Sequence, residues 1–186
     1  VSFKKKTPFC VDLDGTLILN DVTWVGVKKY IKKASLKKKI MRLGQMFGWL
    51  LNGGRALLKQ EIAKRVCLEL NDIIFNQIVI DYVINEKRQG RLVYLATAAD
   101  QAYAQFIMTL FPFFDGFFAS DGVVNLRAQH KAKKLCSYFG GKKTFSYAGN
   151  SKDDLKVWAL CDEKIAINPT KKIKKKLSTI GDYIEL

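Results

Sequence analysis

The sequence predicts an α/β protein: a doubly wound, Rossmann-like parallel sheet with a helical subdomain inserted after the first strand. Three observations carry this reading. Short apolar runs ending in small or polar residues recur at Phe9–Leu13, 91–100 (RLVYLATAAD), 115–122 (DGFFASDG), 144–151 (TFSYAGNS) and 163–169 (EKIAINP). Helix-patterned segments separate the later runs, at Asp100–Phe111, Lys131–Phe139 and Asp153–Cys161. The interval 18–89 breaks the alternation, with helical spacing and no convincing strand.

Taken in order, Phe9–Leu13 is an apolar run that ends in Asp12 and Asp14 and is followed by Gly15-Thr16. A buried strand of this kind delivers its acids to a turn, where glycine permits the reversal and a threonine can cap the next segment. In the inserted interval, Leu36, Ile40, Leu43, Phe47 and Leu50 repeat at helical spacing, with Ser35 before them and Asn52-Gly53-Gly54 after them. These are helix start and stop signals. Arg55–Leu68 and Asp72–Gln89 read as two further helices, the second closed by Gly90. A βαβ crossover needs about a dozen residues, so this interval is expected to be a cap over the strand ends. The division is then a core of 1–17 and 90–186 and a helical cap of 18–89. In parallel sheets ligands bind beyond the carboxyl ends of the strands, where Asp12, Asp14, Thr97, Asn150 and Asp154 fall.

The 186 residues are 48% hydrophobic and 26% charged, the balance of a folded chain. The longest uncharged stretch, Gln101–Phe114, is too short for a membrane span, which takes about 20 apolar residues. The first residues carry three lysines and no apolar stretch, unlike a secretory signal. Cys10, Cys67, Cys136 and Cys161 lack metal-site spacing, and the apolar settings of Cys10 and Cys161 suit buried, reduced thiols in a cytoplasmic protein. A lone His130 excludes His-pair metal sites.

Net charge is +15, which favours anionic partners. The charge concentrates in the insertion. No acidic residue lies between Asp21 and Glu61, where Lys28, Lys29, Lys32, Lys33, Lys37, Lys38, Lys39, Arg42, Arg55 and Lys59 occur. A second basic run spans 171–176 (KKIKKK). The lysines lie opposite Leu36, Ile40 and Leu43, so they read as the solvated face of a helix whose apolar stripe, with Trp24, Phe47 and Trp49, builds the cap core. The alternative is that they steer an anionic substrate or dock on an anionic surface; no nucleic-acid-binding signature accompanies them.

The chemistry sits in DLDGT at 12–16. Two carboxylates one residue apart on an extended chain point the same way and can divide nucleophile and proton-transfer roles. VDLDGTL at 11–17 resembles motif I of the haloacid-dehalogenase-like (HAD) hydrolases. LATAAD at 95–100, NLRAQHKAKKL at 125–135 and YAGNSKDDLKVW at 147–158 resemble that family's motifs II, III and IV, in order. The wording is most similar to the HAD domain found fused to membrane prenyltransferases of the ubiquinone-biosynthesis type.

The resemblance implies a Mg²⁺-dependent phosphatase working through an aspartyl-phosphate on Asp12, with Asp14 as general acid and base. Thr97 and the backbone N–H groups at Ala98 and Ala99 would bind the phosphoryl group, and Lys131 would offset its charge, with Lys133 the competing lysine. Asp12, the Asp14 carbonyl and Asn150 would hold Mg²⁺, with Asp154 as a ligand or orienting residue and Asp153 its competitor. Asn150 stands where the family pattern has an acid. The implied substrate is a small metabolite phosphate, with a phosphoprotein, including phosphotyrosine, as the alternative; a HAD-fold module that binds an anionic partner is the non-enzymatic reading.

Overall fold

The computed structural model describes residues 7–32 and 35–186. Lys33 and the N-terminal lysines lie outside the described residues. Six strands form one parallel sheet: β1 (Phe9–Val11), β2 (Val93–Asp100), β3 (Gly116–Ser120), β4 (Ser146–Gly149), β5 (Lys164–Ala166) and β6 (Ile184–Glu185). Their order is β3-β2-β1-β4-β5-β6. The order reverses between β1 and β4, so the crevice at their carboxyl ends is the switch point where such sheets bind ligands.

The helices are α1 (Val22–Lys32), α2 (Leu36–Ala63), α3 (Gln77–Arg88), α4 (Gln101–Leu110), α5 (Gln129–Tyr138), α6 (Leu155–Trp158) and α7 (Lys171–Leu177). Strand periodicity decides what each face buries. Phe9, Val11, Val93, Leu95 and Ile165 point to one face, where Val79, Ile80 and Val83 of α3 and Tyr103, Ala104 and Ile107 of α4 cover them. Cys10, Ala96, Tyr147 and Ala166 point to the other, under Ala132 and Leu135 of α5, Trp158 of α6 and Leu177 of α7. Both faces are therefore sealed, and the α/β core with helices inserted after the first strand is the architecture the sequence predicts.

The inserted interval does two jobs. α3 lies on the sheet itself, and its C-terminus is closed by Gly90 at φ 79°. α1 and α2 form the cap, with a small core of Val27, Tyr30, Ile62 and Val66. Gly54, at φ 63°, bends α2 where the sequence signalled a stop, and the helix resumes as far as Ala63. Residues 70–72 form a 3-10 turn rather than the start of α3. Phe75 bridges Ile18 in antiparallel fashion and ties the return strap to the end of the first strand's turn.

The expectation for the apolar stripe of α2 is overturned. Leu36, Ile40, Leu43 and Phe47 are exposed, as is Trp24. The leading arm instead packs on α1 through its other side. Trp49 meets the Tyr30 ring at 5.9 Å, Arg42 donates to the Tyr30 carbonyl, and Tyr30 donates to Gln45 Oε1 at 2.7 Å. Thr16 caps nothing: Asp21 accepts from Trp24 N–H to cap α1, and the Thr16 hydroxyl is buried without a partner among the described residues.

Candidate active site

β1 ends at Val11, and the chain leaves the sheet through Asp12, Leu13 and Asp14. Gly15 takes φ 74° there. That backbone favours glycine, and a Cβ here would also stand 2.1 Å from the Asn150 Nδ2, so the turn and the β4 loop approach closely at this point. The two loops thereby bring Asp12, Asp14 and Asn150 to one place from opposite sides of the switch point.

Asp12 is buried, and its Oδ1 accepts from Lys131 Nζ at 2.6 Å. Lys131 also donates to Tyr147 Oη at 2.8 Å, and Tyr147 donates to Asp154 Oδ1 at 2.6 Å. Lys131 stands 3.9 Å from Asp154. One lysine thus bridges two buried carboxylates, directly and through a phenol. Asp154 is otherwise spent inside its own loop: Oδ2 accepts from Ser151 N–H at 2.9 Å, Ser151 Oγ at 2.8 Å and Asn150 N–H at 3.2 Å. Gly149 makes room for it, since a Cβ there would lie 2.6 Å from the Asp154 carboxyl carbon. Asp153 pairs with Arg127, and Lys133 is exposed. His130 is exposed too.

Burial drives the electrostatics. It pushes the Asp12 carboxyl up to about 6, against the pull of Lys131 and with repulsion from Asp154. Asp14 is pushed further, to about 8, first by burial and then by Asp21, although it accepts from Val22 N–H at 2.8 Å. Burial works against the charge on Lys131, but Asp12 and Asp154 outweigh it and raise its pKa. At neutral pH this gives an ionised Asp12 beside a cation and a protonated Asp14 two residues away.

Thr97 is fully buried, and its Oγ1 accepts from Ala99 N–H at 2.9 Å. It is not among the residues that line the cavity; Ala98 is the residue of that segment that does. A register shift between Ala96 and Asp100 pushes this stretch out of the ladder with β3.

The cavity measures about 550 Å³. Asp12, Asp14, Lys131, Asn150 and Asp154 form its floor, and the cap supplies Trp24, Met46, Leu50, Arg55, Leu58 and Lys59. Lys59 was not singled out by sequence reasoning. Its ammonium donates to the Ala98 carbonyl and, at 2.9 Å, to Asn125 Oδ1, and burial lowers its pKa against the attraction of Asp14 and Asp21. Its only signal in the sequence was membership of a basic run. Tyr147 was equally hidden, as one aromatic in an apolar strand.

No His, Cys, Asp or Glu triplet suited to a metal is present among the described residues. The donors here are of another kind. Asn150 packs against Gly15 and its side-chain amide makes no hydrogen bond among the described residues, leaving an amide oxygen beside the Asp12–Asp14 turn. A carboxylate, a backbone carbonyl and an amide oxygen are hard donors that fit Mg²⁺, which keeps several of its waters.

No family model matches the chain. It is 31% identical over 179 residues to the uncharacterized protein y4nM of Sinorhizobium fredii (strain NBRC 101917 / NGR234), covering 96% of this chain. The chain spans 33% of that relative's length. Among solved structures, a protein of unknown function from Bordetella pertussis Tohama I aligns with a TM-score of 0.71 at 14% identity, over 97% of this chain and 99% of that one. A HAD family hydrolase, t0658, from Salmonella enterica subsp. enterica serovar Typhi aligns at 0.59 and 13% identity, over 97% and 68%. A phosphoserine phosphatase in apo form aligns at 0.62 and 16% identity, over 97% and 94%. The chain has the fold of the haloacid-dehalogenase-like hydrolases, with a Rossmann-like core and a helical cap after the first strand.

Proposed function

We propose that the chain is a phosphomonoester hydrolase that works through Asp12. The observation that supports this most is the buried Asp12 carboxylate held 2.6 Å from Lys131 while Asp14, two residues on, keeps its proton to about pH 8. An Asp12 oxygen attacks phosphorus, and the bond to the ester oxygen breaks. Asp14 gives its proton to that leaving oxygen and then takes one from the incoming water. Water attacks the same phosphorus, the bond to Asp12 breaks, and inorganic phosphate leaves. Lys131 compensates charge on Asp12 and on the phosphoryl oxygens throughout. Ala98 and the segment anchored by Thr97 face the phosphoryl group. Asp12, the Asp14 carbonyl and Asn150 would hold Mg²⁺, with Asp154 fixing the loop that carries Asn150. When bound, the metal supplies further neutralisation of the phosphoryl oxygens.

The solved neighbours include phosphoserine phosphatase with substrate bound and as a phospho-aspartyl intermediate analogue, which is in keeping with this chemistry on this fold. The similarity to domains fused to membrane prenyltransferases rests on sequence wording alone. A cavity of about 550 Å³ edged by Arg55, Lys59 and Arg127 suits a small phosphorylated metabolite. The four free cysteines suit a reducing, cytosolic setting. The test is hydrolysis of an aryl phosphate with Mg²⁺, then a panel of sugar phosphates, nucleotides and phosphopeptides, beside Asp12→Asn. Wild-type turnover in that variant overturns the assignment.

A further inference from the structure

The leading arm of α2 presents an apolar stripe that none of the described residues covers. Leu36, Ile40, Leu43, Phe47, Leu50 and Leu51 fall within one side of the helix and are 40% to 76% exposed. Six large apolar side chains on one exposed helix face are far from the scatter normal on a protein surface. The arm keeps its shape by other contacts, since it is anchored to α1 through Trp49, Arg42 and Gln45. The stripe is therefore free to serve a ligand without loss of the cap's own packing.

Charge identifies the ligand. At helical spacing Lys37 and Lys39 flank the stripe on its two sides, with Lys38 and Arg42 further round. Lys28 and Lys32 are exposed on the neighbouring α1. No acidic residue interrupts the sequence from 22 to 60. Lysines beside an apolar stripe complement an interface that is apolar inside and anionic at its edge. Acidic phospholipid offers that arrangement: acyl chains under a layer of negative headgroups. Lysine stems can lie along the acyl boundary while their ammonium groups reach the phosphates.

We propose that the Leu36–Gly53 arm of α2 docks this protein on an anionic bilayer surface, with its apolar stripe in the acyl boundary and its lysines on acidic headgroups. The arm lies in the plane of the membrane rather than across it; no helix of the described residues is long and apolar enough to span one. Leu50 belongs to both the stripe and the wall of the active-site cavity, so docking brings the edge of that cavity to the headgroup layer. The proposal stands on the cap surface and is independent of the catalytic assignment.

Co-sedimentation with vesicles tests it, using phosphatidylcholine alone and phosphatidylcholine mixed with phosphatidylglycerol. The protein should bind the mixed vesicles at least about tenfold more tightly, and added salt should weaken that binding. Leu43→Glu/Phe47→Glu should lose at least about tenfold in binding while keeping its circular dichroism and thermal midpoint, because both side chains are exposed. The milder Ile40→Ser/Phe47→Ser carries the same expectation if the charged pair disturbs folding. Retained vesicle binding in a folded stripe variant overturns the proposal, because charge alone would then account for the attachment. Equal binding to both vesicle types overturns it as well. Absence of vesicle binding, together with self-association that the stripe variants abolish, assigns the face to a second copy of this chain and overturns it too.

Discussion

Lys131 Nζ lies 2.6 Å from Asp12 Oδ1, although 119 residues separate them in the chain. β1 delivers the aspartate and the first turn of α5 delivers the lysine. Both are buried, so each charge offsets part of the other's desolvation. Asp154 adds a second carboxylate, reached through Tyr147. The arrangement holds one cation against two acids at the switch point of the sheet.

Asp12→Asn should lower phosphatase turnover by several orders of magnitude while leaving the fold intact, because the amide is nearly isosteric but a poor nucleophile. Lys131→Met should lower turnover by about 10²- to 10³-fold, the scale of losing one preorganised charge stabiliser. Steady-state rates on an aryl phosphate decide both. A Lys131→Met enzyme with unchanged turnover removes the lysine from the mechanism, whatever its effect on stability.

Much of this site was legible because parallel strands punctuate a sequence clearly. Phe9, Cys10 and Val11 alternate between two sealed faces, so the run is apolar throughout and its end is marked by the first carboxylate. The same logic located β2, β3, β4 and β5. The exposure of the α2 stripe was not legible, because spacing shows that Leu36, Ile40 and Leu43 share a face but not what that face meets. Here the contacts of Tyr30 with Trp49 and Gln45 turned the helix the other way. Lys59 was hidden among the ten basic residues between Asp21 and Glu61, since only the bend at Gly54 and the packing of the second arm bring it to Ala98. The two-residue β6 and the basic α7 beside it carried too little pattern to be read as sheet and cover.

The contribution of Asp12 and Asp14 to the stability of the metal-free protein should fall as pH rises. Folded Asp12 and Asp14 hold their protons to about 6 and about 8, above the ordinary 3.8. A carboxyl that binds its proton more tightly in the folded chain stabilises the fold fully below the ordinary value, and that contribution is lost as pH climbs through the folded value. Thermal unfolding in chelator should show a wild-type midpoint that drops relative to Asp14→Asn between about pH 4 and about pH 8. Mg²⁺ should raise the wild-type midpoint more at the alkaline end, where the carboxylates are ionised. A gap between the two proteins that stays constant with pH would contradict the assignment to Asp14.

Asn150→Asp should lower the Mg²⁺ concentration needed for half-maximal activity, because a carboxylate attracts the cation more strongly than an amide. Asp154→Asn should act in the opposite direction, by about 10- to 100-fold, since it loosens the loop that presents residue 150. Gly15→Ala tests the same geometry from below. Its Cβ meets the Asn150 amide and its φ of 74° disfavours any side chain, so activity should fall with it. Magnesium titrations of the three variants compare these effects, and unchanged metal dependence in all three would exclude residue 150 from the metal site.

At the opposite end of the sheet, Arg91 forms a purely structural node. Its guanidinium is buried and pairs with Glu86 at 2.8 Å and Glu163 at 2.6 Å, while Phe9 lies under it at 5.2 Å. Glu86 is buried and Glu163 is half-exposed, so Arg91 faces one carboxylate shielded from water and one that is not. Arg91→Leu should cost about 3–5 kcal/mol, because it breaks a buried ion pair together with hydrogen bonds to Thr7 and Ser146. Adding Glu86→Leu should recover part of that loss, because the carboxylate that faced the guanidinium is then gone. Urea unfolding of the two single variants and the double variant gives the coupling directly. Additive losses would mean that Glu86 finds solvent or another donor without Arg91, and the node would then be two independent contacts. Because this cluster lies at the amino ends of β2 and β4, away from Asp12, the double variant should keep its turnover with an aryl phosphate while its unfolding midpoint shifts.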